Sequence, residues 1–292
     1  MTTNPTYSRR RLLSGGLAAG AALAVPALLG TRTATAAPRR RAGALATMDM
    51  ELLLLGCQLD PPKANSDPTP EAKAHVLAME QALQAKGLLA ADLVDGHYGS
   101  STLDAYTAWQ KSLGYEGLDA NGVPGKTSLT ELGKGTFDVA NPVAAGDRFD
   151  SYGGERTNTR TVDMLAAADG MLDWDITLTQ GSYNTGNPGS AGTHDGGGVV
   201  DINVNDLGTT ERWELVKALR TVGFAAWLRT PDDGFDYHVH ANGISDPDMS
   251  LPARNQIHDY YNGRNGLANH APDNTPQEYQ VAFTWWEKYQ RG

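Results

Sequence analysis

Apolar side chains recur at helical spacing in the first readable part of the chain. Across residues 71–86, Val76, Leu77, Met79, Glu80 and Leu83 form one stripe that Gly87 ends, which predicts a helix. Leu103, Tyr106, Trp109 and Leu113 form a second stripe and predict a helix over 100–113 with Ser100 as its N-cap. A shorter helix over about 126–132 completes a three-helix unit. The pattern then turns irregular between 137 and 160, so a domain boundary is expected near Gly146. Beyond it, helix-like pieces (161–170, 211–222) alternate with strand-like pieces (176–179, 199–204, 235–241). Mixed order with short turns predicts an α+β fold with a small, largely antiparallel sheet. Period-two alternation places Val199, Asp201 and Asn203 on one face of their strand, and Val200, Ile202 and Val204 on the other. It also puts His238 and His240 together, with Val239 turned to the core.

The amino-terminal stretch reads differently. "SRRRLL" at residues 8–13 precedes an Ala-, Leu- and Gly-rich run to Gly30 and then "ATAAP". A charged start, a short apolar run and small residues describe an export signal, and the paired arginines suggest the twin-arginine route. The run is too short, and too interrupted by Pro26, to predict stable membrane insertion. Residues 1–36 are therefore expected to be removed, residues 37–70 to act as a linker, residues 71–135 to form the helical domain and residues 147–292 the second domain. The expected location is secreted or cell-wall associated, and the expected state a monomer.

Charge narrows the partners. The 292-residue chain carries a formal net charge of −10. Removing residues 1–36 takes away Arg9, Arg10, Arg11 and Arg32 and no acid, so the remainder is more acidic still. An acidic exported protein is a poor candidate for nucleic acid. The single cysteine, Cys57, excludes an internal disulfide framework. "LLLGC" at residues 53–57 has the look of a lipoprotein box, but "PRRR" at 38–41 separates it from the export signal, so Cys57 is read as a buried thiol.

"DGHYGSSTLDAYTAWQKSLGY" at residues 95–115, followed by "GLDANGVPGKTSLTELG" at 117–133, resembles the three-helix peptidoglycan-binding domain. The resemblance rests on an Asp-Gly-x-Tyr-Gly-x-x-Thr turn and a later Gly-x-Pro-Gly-x-x-Thr-x-x-x-Leu turn, and it covers about residues 71–133. Gly96 and Gly99 permit tight turns, while Asp95 and Thr102 can tie the loop to the next helix. Trp109 reads as core, and Tyr98, on a turn, as the residue placed to touch glycan or stem peptide. Peptidoglycan is the partner this resemblance implies.

Candidate chemistry concentrates in "GTHDGGGVVDINV" at 192–204 and "YHVHAN" at 237–242. Hydrolytic zinc is usually held by three ligands drawn from His, Asp and Glu, with a fourth position open. His194 and Asp201 are separated by Gly196, Gly197 and Gly198, a loop able to fold back so that both side chains converge. Of two histidines on one strand face, one can complete a metal triad while its neighbour acts as the base. The order of these residues resembles the lysostaphin and D-alanyl-D-alanine metallopeptidase group, the hedgehog/DD-peptidase fold. Its pattern is Ser-x-His-x-x-Gly-x-Ala-x-Asp followed by His-x-His or a related pair. Thr193 stands near the Ser position, Gly197 at the shared Gly, and Val199 in place of Ala. The resemblance covers about residues 160–241 and implies Zn2+ held by His194, Asp201 and His240, with His238 as catalytic base.

One departure matters. Many members carry an arginine on the strand before the first ligand, whereas this chain has "TQGSYNTG" at 179–186. Gln180, Tyr183 or Asn184 would then supply hydrogen bonds to substrate or oxyanion, or Arg229 would reach in from the later segment. Trp227 and Phe235 read as core, and Asp195 as either a partner of a ligand histidine or ordinary turn chemistry. The tail, with His258 and His270, reads as a wrapping extension ending in an amphipathic helix, with neither histidine a ligand. Together these readings predict a zinc-dependent carboxypeptidase or endopeptidase of peptidoglycan. The alternative is a wall protein that binds stem peptide without turnover.

Overall fold

A computed structural model describes residues 45–59 and 71–292, all within one compact unit. The expected export signal and the Pro- and Asp-rich stretch 60–70 lie outside the described residues. None of the described helices is long and apolar enough to cross a membrane.

Part of the expected linker is folded. Strand β1 (Ala46–Asp49) leads into helix α1 (Met50–Leu59), which buries nine of its ten residues, Cys57 among them at 0 % exposure. Its "LLLL" run has no single stripe because the helix is enclosed on all sides, the usual reason a helix is apolar all round. Glu51 remains ionisable inside it because Arg291 holds the carboxylate through two bonds of 2.8 Å and Trp285 donates at 2.7 Å. Cys57 sits in the core, so "LLLGC" is the middle of a packed helix.

The three expected helices follow as α2 (Ala72–Ala85), α3 (Ser100–Ser112) and α4 (Lys126–Gly133). Gly99, not Ser100, is the N-cap of α3. The turn before α3 is organised by buried Glu80: its carboxylate accepts from the backbone N–H groups of Asp95 (3.0 Å) and Gly96 (2.7 Å) and from the Thr102 hydroxyl (2.7 Å). Asp95 instead accepts from the His97 backbone N–H at 2.8 Å. Chain reversal after α4 brings β2 (Phe137–Ala140) alongside β1 in parallel.

A short antiparallel pair, β3 (Asp150–Tyr152) and β4 (Glu155–Thr157), precedes α5 (Thr159–Asp169). The larger sheet is built from β5 (Leu178–Gln180), β6 (Val199–Asn203), β7 (Phe224–Arg229) and β8 (His238–Gly243), with α6 (Thr209–Val222) between β6 and β7. Its order is β5-β6-β8-β7, antiparallel throughout. Helices α7 (Leu251–Tyr261) and α8 (Trp286–Arg291) close the chain. The fold is thus mixed helix and sheet.

The alternation on β6 is realised. Val200, Ile202, Val204, Leu228, Val239 and Ala241 pack on one face against Met164 and Leu165 of α5 and Leu215, Val216 and Leu219 of α6. On the other face Val199, Ala225 and Trp227 join the core of the helical half, with Leu53, Tyr98 and Ile257. On that face Asp201 and His238 are half-buried and, with the buried His240 and Arg229, line a cleft. β7 lacks alternation because all six of its residues are buried between these two layers.

Candidate metal centre

Antiparallel register sets the site. Asp201 on β6 is paired with His240 on β8, and His240 in turn with Trp227 on β7, while Gln180 on β5 flanks Asp201 from the other side. The next row on the same face pairs Asn203, His238 and Arg229. Paired residues of neighbouring strands project to the same side, so the two rows form one polar surface.

His194 reaches this surface from the glycine loop. Gly198 adopts φ +80°, and a Cβ on Gly196 would stand 2.3 Å from the Asp248 carbonyl oxygen, so the loop turns and packs only with glycine there. The result brings ligand atoms of His194, Asp201 and His240 within 4.8 Å of one another, a group that can hold a metal ion. His194 is 0 % and His240 6 % exposed.

The proton positions argue for a cation. His194 Nδ1 lies 2.9 Å from the Gly181 carbonyl, an acceptor, so this nitrogen carries the proton. Nε2 is then a bare lone pair, buried without a hydrogen-bond partner although Asp201 Oδ2 is 3.3 Å away. Gln256 is oriented by donating from Nε2 to the Gly266 carbonyl (3.1 Å) and by accepting at Oε1 from Asn242 Nδ2 (2.7 Å). Its Oε1 therefore accepts from His240 Nε2–H at 2.9 Å. Burial pushes the His240 pKa down, with Asp201 opposing; with Nε2–H given to Gln256, Nδ1 is the nitrogen turned to Asp201 Oδ1, 2.7 Å away. Burial alone would raise the Asp201 carboxyl; protons on the His240 and His194 nitrogens that face it hold it well below the usual carboxylate range, and a cation at the same point would take the place of those protons. Two imidazole nitrogens and a carboxylate thus converge on one point, and with the facing nitrogens deprotonated the group suits a divalent cation with nitrogen and oxygen ligands. Gly181 and Gln256 are the outer partners that orient such ligands.

His238 belongs to the cleft without joining this group. Its Nδ1–H donates to the Asp236 carbonyl at 2.8 Å, and its Nε2 is 3.8 Å from Asp201 Oδ1. The Phe235 ring meets it edge-on at 5.8 Å. These residues, with Arg229 and Gln256, line a cleft of about 280 Å³. A larger cavity, about 470 Å³, lies elsewhere, between α4 and the 143–148 segment, and contains none of these groups.

The other anticipated residues are placed as follows. Arg229 lines the cleft and is 3 % exposed. Asn184 is exposed and does not line the cleft. Tyr183 faces away: its hydroxyl donates to Asp248 Oδ2 at 2.8 Å and accepts from Asn158 Nδ2 at 3.2 Å. Gln180 lies beside Asp201 in the sheet, with Oε1 accepting from Asn187 at 2.9 Å and Nε2 buried without a partner. Tyr98 is a correction, being 0 % exposed with its hydroxyl donating to the Gly122 carbonyl at 2.8 Å; the turn folds inward and the ring fills the core, so it cannot touch a ligand. Trp109 is only half-buried, its Nε1–H donating to the Ser128 carbonyl. Trp227 is core at 1 % exposure, with its ring 6.4 Å from that of His240. His258 and His270 bind the Leu59 carbonyl and Asp259, apart from the metal group. Gln256, which the sequence reading missed, sits in the middle of α7 with no local pattern to single it out.

No protein family, curated protein or solved structure was found to match the chain.

Proposed function

We propose that the protein is an exported zinc-dependent peptidase that hydrolyses peptide bonds of peptidoglycan, with its helical half holding the wall. The observation that carries this reading is the convergence of His194 Nε2, His240 Nδ1 and the Asp201 carboxylate beside the uncommitted Nε2 of His238. When bound, zinc would supply a Lewis acid for the scissile carbonyl and a water acidic enough to attack near neutral pH.

The protein's own groups do the rest. Gly181 and Gln256 fix the two ligand imidazoles in the tautomers that present lone pairs to the centre. With its Nδ1–H committed to Asp236, His238 accepts the proton of the attacking water at Nε2 and returns it to the departing amine. Arg229 places a positive charge in a dry wall of the same cleft, where it favours negative charge on the bound substrate. Retention of the wall by residues 71–135 would raise the effective concentration of an insoluble substrate. Since Tyr98 is in the core, that contact runs through other residues.

Incubating zinc-loaded protein with purified peptidoglycan, followed by mass spectrometry of the muropeptides, tests the reading. Shortened stem peptides or opened crosslinks, lost with His238→Ala, are expected. An unchanged profile from a zinc-loaded protein that still sediments with walls would favour a stem-peptide binder instead.

A further inference from the structure

The glycine loop that carries His194 is gripped by the turn after β8. Gly197 donates its backbone N–H to the Asp248 carbonyl at 2.9 Å, and the Ser250 hydroxyl donates to the Thr193 carbonyl at 2.9 Å. A Cβ on Gly196 would stand 2.5 Å from the Ser250 nitrogen, and one on Gly197 2.9 Å from the Asp248 Cβ, so loop and turn are in direct contact. Asp248 is 7 % exposed, and its carboxylate is fixed by Arg148, whose Nε and Nη2 donate to it at 2.6 and 2.7 Å. The third nitrogen, Nη1, lies 2.6 Å from Asp119 Oδ1 in the loop between α3 and α4. Asn121 of the same loop donates to the Pro247 and Met249 carbonyls, each at 3.3 Å. A second route leaves Arg148 by its backbone carbonyl, which accepts from Arg156 Nε at 2.8 Å. The Arg156 carbonyl accepts from the Ser182 N–H at 2.7 Å, next to Gly181, whose carbonyl accepts from His194 Nδ1–H at 2.9 Å. The backbone and the ring of His194 are thus both tied back to Arg148.

We propose that Arg148, itself aligned by Asp119 of the helical half, is a positioning residue that holds His194 in place for the metal group. A two-pronged guanidinium–carboxylate pair fixes orientation as well as distance. Arg148 makes one with Asp248 and keeps a third donor for Asp119. Without Arg148, Asp248 would be a nearly buried carboxylate close to buried Asp246, and the turn would have to move to hydrate it. The glycine loop packs on that turn and would move with it. A metal group tolerates only about 0.5 Å of such movement before its ligands lose their aim. The Asp119 side chain is 52 % exposed, and an exposed ion pair adds little to stability. Its worth is geometric: it stops the Arg148 side chain from swinging. The helical half is then a brace for the metal group and not only a tether to the wall. The inference rests on the metal part of the reading above and not on hydrolysis.

Two readouts on the full chain test the role: zinc affinity by chelator competition, and solvent exchange of the His194 Nδ1 proton in the metal-free protein by NMR. Asp119→Asn is expected to lower zinc affinity by about two- to thirtyfold, the range for residues that modulate a site they do not touch. The proton should exchange faster by a similar factor, while the urea midpoint stays close to that of the unaltered protein. Asp104→Asn, the same charge change at an exposed position of α3, should alter neither readout. In an Arg148→Gln background, Asp119→Asn should cause no further loss, because its route is already cut. Unchanged affinity and exchange in Asp119→Asn overturn the proposal, as does an equal loss in Asp104→Asn or a full additional loss in the Arg148→Gln background. Should Arg148→Gln fail to fold, the contrast between Asp119→Asn and Asp104→Asn remains the test. A chain that takes up no zinc removes the peptidase, and proton exchange alone then decides whether Arg148 positions His194.

Discussion

Asp201 and His240 face each other directly across β6 and β8, with Oδ1 and Nδ1 2.7 Å apart. Their register makes the carboxylate the centre of the group, touched by His240 on one oxygen and approached by His194 on the other. Asp201→Asn keeps the shape but removes the charge that offsets a divalent cation. Zinc affinity, measured by competition with a chromogenic chelator, should fall by more than the roughly 10–100-fold typical of losing an outer partner.

Gln256 tests that lower range. It accepts from His240 Nε2–H and is itself fixed by Asn242 and Gly266. Gln256→Leu leaves every ligand in place but releases the His240 tautomer. Zinc affinity should fall by about 10–100-fold, with the folded state intact by circular dichroism.

His238→Ala separates binding from proton transfer. Zinc affinity in the same chelator assay should change little, since His238 is outside the ligand group. Hydrolysis should drop by about 10²–10⁴-fold, the usual worth of a positioned acid–base group. Loss of zinc together with activity would make His238 a ligand.

Much of this site was legible because period-two alternation is a strong signal where one sheet face is buried and the other polar. It placed Asp201 with Asn203 and His238 with His240, each on the correct face. What remained hidden had lost its periodicity through burial. β7 is covered on both faces and α1 is enclosed on all sides, so neither alternates. Tyr98 was misjudged because a turn sequence reports backbone shape, not whether the turn faces water. Glu80, read into an apolar stripe, is a buried polar hub whose partners are 15 to 22 residues away, beyond any local pattern.

Asp246 gives a pH signature away from the metal group. Burial raises its carboxyl to about 6 from an ordinary 3.8, aided by the Asp248 charge and opposed by Arg160 and Asn158. A native pKa above the unfolded one means that the folded chain holds more protons between about pH 4 and pH 6. Its contribution is therefore full below that window and is lost as pH rises through it. Asp246→Asn lacks this dependence. Urea unfolding of the metal-free proteins should show the variant gaining on the original by up to about 3 kcal/mol from pH 4 to pH 7; a constant difference would contradict the shift.

X-ray absorption spectroscopy of the zinc-loaded full chain tests the central claim most directly. The expected result is one zinc per chain with two imidazole nitrogens and one carboxylate oxygen at about 2.0–2.2 Å plus a further light atom, with the imidazole signal reduced in His194→Ala and again in His240→Ala. A chain that binds no zinc, or whose zinc spectrum is unchanged by both substitutions, would contradict the account.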